Sequence, residues 1–237
     1  MTLTNNPGRV AGLLYTVASI PGFFALMYVP SKILVRGNAA ATANNISAHE
    51  TLFRLGIAAD LIGQAMFIFV ALALYELLKG VNRRHALAML TLILVAIPIA
   101  FLNEVNSIAA LILVRGADFL SVFDKPQRDA LARLFLNLRG GGFDVAGIFW
   151  GLWLFPLGLL AYRSGSIPRI LGVLLMIGCF AYLTNSFTSL ALPQYEEIIS
   201  RWVSPLQAVE LLFMLWLLIK GANPKPTTNA SYATAPA

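Results

Sequence analysis

The sequence predicts an all-α fold: an integral membrane, six-helix transmembrane bundle with a short interfacial amphipathic helix. Three observations carry this. Hydrophobic residues make up 58% of the 237-residue chain and charged residues only 12%, against roughly 45–50% and about 25% in a soluble domain. Six apolar stretches approach the about 20 residues a helix needs to cross a bilayer. None of them alternates apolar and polar residues as strands of a membrane barrel do.

The spans fall at 10–29, 52–78, 86–107, 143–162, 169–192 and 204–220, so residues 10–220 form one transmembrane domain. Residues 1–9 precede it. The first span opens like a secretory leader, but "PGFFALMYV" carries the apolar run on to spanning length and no small-residue cleavage site follows, which predicts an uncleaved helix. The stretch 37–46, rich in Ala and Asn, reads as a loop. "SAHE" (Ser47 to Glu50) has the spacing of a capping box and predicts a helix start. In "KPQRDALARLFLNLRGGG", Leu131, Leu134, Phe135 and Leu138 share one helix face. This predicts an interfacial helix over 125–139, capped by Asp124, with Asp129 and Arg133 paired and Gly140 to Gly142 ending it. "YRSGSIPR" reads as a short turn: Gly165 breaks one helix and Pro168 opens the next. Residues 221–237, rich in Pro, Thr and Ala, read as a disordered tail.

Net charge is +6, but the cations sit in loops between spans, where they set orientation rather than contact nucleic acid. The short segments "KGVNRRH" and "RSGSIPR" hold dense Lys and Arg, which places both termini in the cytoplasm. The lone Cys179 cannot form an internal disulfide. His49 and His85 have no partner at metal-ligand spacing, so no metal site and no cofactor are expected.

Polar residues inside the spans are the chemical signal. A carboxylate near a helix centre costs about 2.5–3.5 kcal/mol on insertion scales. Asp60, Glu104, Asp144 and Glu210 nonetheless lie within spans or at their margins. Asp60 and Gln64 share a helix face; so do Asn103 and Asn106, and Gln207 and Glu210. Lipid offers no hydrogen bonds, so these stripes face other helices or water. The nine residues Asp60, Gln64, Asn103, Glu104, Asn106, Asp144, Asn185, Gln207 and Glu210 are expected to converge on one outward-facing polar pocket, with Arg54 and Arg139 at hand to pair with the acids. The spacings Gly8–Gly12 and Gly147–Gly151 read as helix-packing signals, and Pro98 and Pro156 as kinks.

"RVAGLLYTVASIPG", "YVPSKILVRGNAAATANNISAHETLFRLGI", "LALYELLKGVNRRHA" and "IFWGLWLFPLGLLAYRSGSIPRILGVLLMIGCFAYL" together resemble a bacterial membrane-protein family, domain of unknown function 4386. The resemblance covers most of residues 8 to 220. It is densest at Gly151, Pro156, Gly158, Ser164, Gly165, Pro168, Arg169 and Gly172. It implies a polytopic fold in a bacterial cytoplasmic membrane and brings no activity or site residues. No nucleophile elbow, zinc-protease motif or phosphate loop appears, which argues against an enzyme. The residues favour binding or transport of a small solute or ion. A structural or regulatory subunit, with the polar layer as interhelical glue, and an intramembrane enzyme using paired carboxylates are the alternatives. The lipid bilayer is the one certain partner; oligomeric state is not legible.

Overall fold

In hydrocarbon every backbone polar group must be bonded within the protein, which for apolar runs of this length selects the helix. The computed structural model describes residues 6–223, and among them it contains helices and no strands. Helix α1 (Pro7–Phe23) passes through a π-helical turn (Phe24–Tyr28) into α2 (Val29–Ile33), making the first span. The remaining helices are α3 (Ala39–Ala48), α4 (Glu50–Leu78), α5 (Arg83–Arg115), α6 (Lys125–Ser164), α7 (Arg169–Ala191), α8 (Glu196–Gln207) and α9 (Val209–Lys220). Among the described residues six stretches are long and apolar enough to cross a membrane, the last containing α8 and α9 together.

Local chemistry sets the helix ends. Asn6, Asn38 and Asn82 accept from the backbone N–H three residues on, satisfying donors that a first turn leaves free. Asp124 and Gln127 form a reciprocal capping box. Gly165, at φ 71°, ends α6 in the left-handed region where a Cβ is costly.

The spans pack in a ring, α1–α4–α5–α6–α7–α9, with α9 returning to α1. Their termini at Pro7, Leu78, Arg83, Ser164, Arg169 and Lys220 share one end of the bundle, here called the terminal face; the opposite end is the distal face. Ala11, Leu74, Ile93, Trp153, Leu175 and Phe213 belong to one continuous core. Two seams bring backbones together. Gly158 and Gly172 face each other: a Cβ on either would lie 2.6 Å from the other's carbonyl oxygen. On the opposite side, Gly8 N–H donates to the Ala222 carbonyl at 2.9 Å, and a Cβ on Gly12 would meet Leu218 N at 2.4 Å. Gly147 and Gly151 likewise pack on α7, as their spacing suggests.

Five expectations need correction. Residues 37–46 are not a loop: Ala39–Ala48 is helical. Alanine is the best helix former, Asn38 supplies the cap, and Thr42 and Ile46 are buried; one large apolar side chain gave too little periodicity to detect. "SAHE" is not a capping box, because Ser47 belongs to α3 and α4 starts at Glu50 without a side-chain cap. Glu50 instead pairs with Arg54 at 2.8 Å. Residues 125–139 do not form a separate interfacial helix; they are the first turns of the 40-residue α6. Their buried positions Asp129 and Ala132 face protein; Ala132 packs with Ala110, Leu113 and Leu120. Asp129 pairs with Lys125 at 2.6 Å rather than with Arg133. Gly140 to Gly142 do not end the helix, because α6 runs through them and Gly142 is needed for close approach instead. The disordered tail expected over 221–237 lies outside the described residues from 224 on, as do residues 1–5.

The distal ends of α5 and α6, with α2 and α3, make small apolar clusters of their own around Val29, Ile33, Ile46, Phe53 and Leu111. At 1.5 Å per residue α6 is about 60 Å long, so it extends well past a hydrocarbon layer about 30 Å thick.

The glycine seams generate a test. Gly158→Leu drives a side chain into the Gly172 carbonyl and Met176, overpacking that costs about 1–3 kcal/mol or more. A lowered midpoint of thermal unfolding in detergent micelles is expected, whereas Gly140→Ala, where a Cβ meets nothing within 4 Å, leaves it unchanged or higher.

Candidate functional site

Three helices place charges together near the distal half. Asp60 lies on α4, Glu104 on α5 and Arg139 on α6. Arg139 Nε donates to Glu104 Oε1 at 2.8 Å, and its Nη2 lies 2.7 Å from the same oxygen and 3.4 Å from Asp60 Oδ2. Asp60 and Glu104 are each 1% exposed. The Phe143 ring centroid is 4.6 Å from the guanidinium carbon, one turn along α6, and holds it in place by a cation–π contact.

Neighbouring amides fix the surround. Gln64 Nε2 donates to Asp60 Oδ1 at 3.5 Å. Asn103 Nδ2 donates to the Arg139 carbonyl at 2.8 Å, tying α5 to α6 where Gly142 leaves room; a Cβ on Gly142 would lie 2.0 Å from Asn103 Oδ1. Asn106 Nδ2 donates to the Asn103 side-chain oxygen at 3.1 Å.

A cavity of about 50 Å³ adjoins this cluster. Glu104, Ser107 and Arg139 form its polar end; Ala25, Val29, Pro30 and Ile33 of the first span, with Phe53 and Ile57 of α4, form apolar walls. Glu104 Oε2 is buried and has no hydrogen-bond partner. Formally, two carboxylates face one guanidinium, leaving one negative charge.

The other expected site residues lie elsewhere. Asp144 accepts from Ser189 Oγ at 2.7 Å, a link between α6 and α7. Asn185, also on α7, keeps its Oδ1 buried without a partner. Glu210 accepts from the hydroxyl of Tyr15, beside edge-to-face contacts of Phe67 with Tyr15 (5.2 Å) and Trp153 (5.5 Å). Measured along the helices from the terminal face, Glu210 stands at about 15 Å, whereas Asp60 and Glu104 stand at about 27 and 31 Å. Gln207 lies at the break between α8 and α9 and is partly exposed. The single shared pocket therefore resolves into three groups, of which Asp60, Gln64, Asn103, Glu104 and Asn106 gather around Arg139. Arg54 joins Glu50 and not these acids. Sequence reasoning did not single out Ser107 or Tyr15. Ser107 follows Glu104 by three residues and was available from helix periodicity; the tyrosine carries no local signal, since its partner is remote in sequence.

Comparison with known proteins places the chain. The model of a family described as domain of unknown function DUF4386 matches residues 10–221. The chain belongs to that family. An uncharacterised protein of Archaeoglobus fulgidus is similar, 37% identical over 78 residues, which is 33% of this chain and 45% of that protein; the chain thus spans less than half of that relative's length. No solved structure matches. With six spans, this DUF4386 member is a multi-pass membrane protein.

Removing one member of a buried ion pair strands the other, at a cost of about 3–5 kcal/mol. Arg139→Gln is accordingly expected to lower stability strongly in urea unfolding from micelles. Adding Asp60→Asn and Glu104→Gln to that variant should restore most of the loss; a single variant as stable as the parent would contradict the ion-pair assignment.

Proposed function

We propose that this protein binds a small cationic solute at the Asp60–Glu104–Arg139 centre. The observation that carries the reading is Glu104 Oε2: an acceptor on a buried carboxylate, without a donor, beside a cavity. A buried polar atom without a partner costs about 1–3 kcal/mol, more when charged. A ligand that brings both a donor and a positive charge removes that cost and the formal imbalance together. Ionisable groups inside membrane domains commonly mark such sites.

Glue is the better reading for the other acids. Glu210 and Asp144 each have a hydroxyl donor from another helix, and neither lines the cavity beside Arg139. Passage across the bilayer would need a route through the terminal half, whose interior is filled by Leu74, Met89, Trp153, Leu157 and Phe213. Binding is therefore the function these residues support, with transport requiring that core to part.

The test uses the full chain in lipid nanodiscs. Ammonium or methylammonium chloride should raise the melting temperature above that in N-methylglucamine chloride of equal ionic strength, since a ligand selective for the folded state stabilises it. Glu104→Gln should weaken the effect at least about tenfold, the value of a hydrogen bond to a charged group. Glu210→Gln should leave it intact. Equal responses in the parent and Glu104→Gln would sink the proposal.

A further inference from the structure

We propose that the ligand of this centre is a short primary alkylammonium ion, with its nitrogen on Glu104 and its carbon chain along the bent segment of the first span. The inference rests on reading the Asp60–Glu104–Arg139 centre as a cation site and adds the chemical class of the cation.

Charge excludes anions. The guanidinium of Arg139 already serves Glu104 and Asp60, and an anion would add to the formal excess of negative charge. Coordination number argues against a bare metal ion. Calcium takes six to eight oxygens and magnesium a strict octahedron, whereas among the described residues no three His, Cys, Asp or Glu side chains gather, and the two acids here already share a guanidinium. An ammonium head asks less: of its three donors, two are met by the Glu104 carboxylate and the Ser107 hydroxyl at the polar end of the cavity.

The walls ask for carbon. Val29, Pro30, Ile33, Ile57 and Leu136 line the rest of the cavity, and a hydrated ion would leave them against water. The first span reaches this position by an irregular path, with Pro21 inside α1, the π-helical turn over Phe24–Tyr28, and Pro30 in α2. Such turns are frequent at functional sites. Here the turn leads directly into the wall residues Val29 and Pro30. Gly56 completes the fit, since a Cβ there would sit 3.1 Å from both methyl groups of Val29. Size sets the chain length. A cavity of about 50 Å³ exceeds the roughly 10–15 Å³ that a single water needs, so it admits an ammonium head with a short carbon chain.

Isothermal titration of the full chain in nanodiscs with ammonium, methyl-, ethyl-, propyl- and hexylammonium, sodium and 1-propanol tests the class. Affinity is expected to rise about threefold to fourfold per added methylene up to propyl and to fall at hexyl. 1-Propanol, with the same chain and no charge, should bind at least about tenfold more weakly than propylammonium. Ile57→Phe and, at the exposed mouth of the cavity, Leu34→Phe should each shift the optimum to a shorter chain; the second covers the case in which the first disturbs folding. If ammonium, sodium and propylammonium bind alike and all depend on Glu104, the alkylammonium assignment is wrong while the cation site stands. If Glu104→Gln alters none of them, both fall together.

Discussion

The arrangement depends on one constraint: a charge placed within a lipid-spanning helix must find its partner inside the protein. Arg139 meets that constraint by reaching two acids on two other helices, so the positions of α4, α5 and α6 are set by a single planar group. An arginine suits this better than a lysine, because its fork offers several donors in fixed directions. Glu104 accepts from its Nε, and Asp60 accepts from its Nη2, which also lies against Glu104 as an ion pair. The supporting amides then follow, with Asn103 binding the Arg139 backbone and Gly142 clearing the space for it.

Two kinds of adhesion divide the molecule. Between α6 and α7, and between α1 and α9, glycines let backbones approach and dispersion forces act at short range. Between α4, α5 and α6, polar side chains do the joining. The cavity lies at this second kind of contact, where the first span bends and packs less regularly. Close packing elsewhere gives the polar centre a rigid frame, and the imperfect contact gives it space. Glu210 shows the contrasting outcome: a carboxylate nearer the terminal face, bonded by Tyr15 beside an aromatic cluster, receives its donor from the fold itself.

Much of the architecture was legible in the sequence because hydrophobic length is a local property. The six spans, the Asp124 cap, the Gly165 stop and the glycine contacts were all read from neighbouring residues. Two errors share a cause. Gly140 to Gly142 look like a helix end, yet whether glycine ends a helix or admits a neighbour depends on what lies across from it, here Asn103. The Ala-rich stretch over Ala39–Ala48 looks like a loop because its burial depends on Val35 and on α6, not on its own pattern. The polar layer divided for a similar reason. Periodicity placed Asp60 with Gln64 and Asn103 with Asn106 on their respective faces, but which faces meet is decided by the order of helices around the ring.

The contact of α1 with α9 also bears on how the chain is made. Gly8 and Gly12 rest on the backbone of Leu217 to Ala222, more than two hundred residues later in synthesis. During translation α1 therefore enters the bilayer before α9, the helix that covers its glycine face, has been made. The ring therefore closes only after α9 follows α1 into the bilayer, so its closing seam joins segments far apart in synthesis.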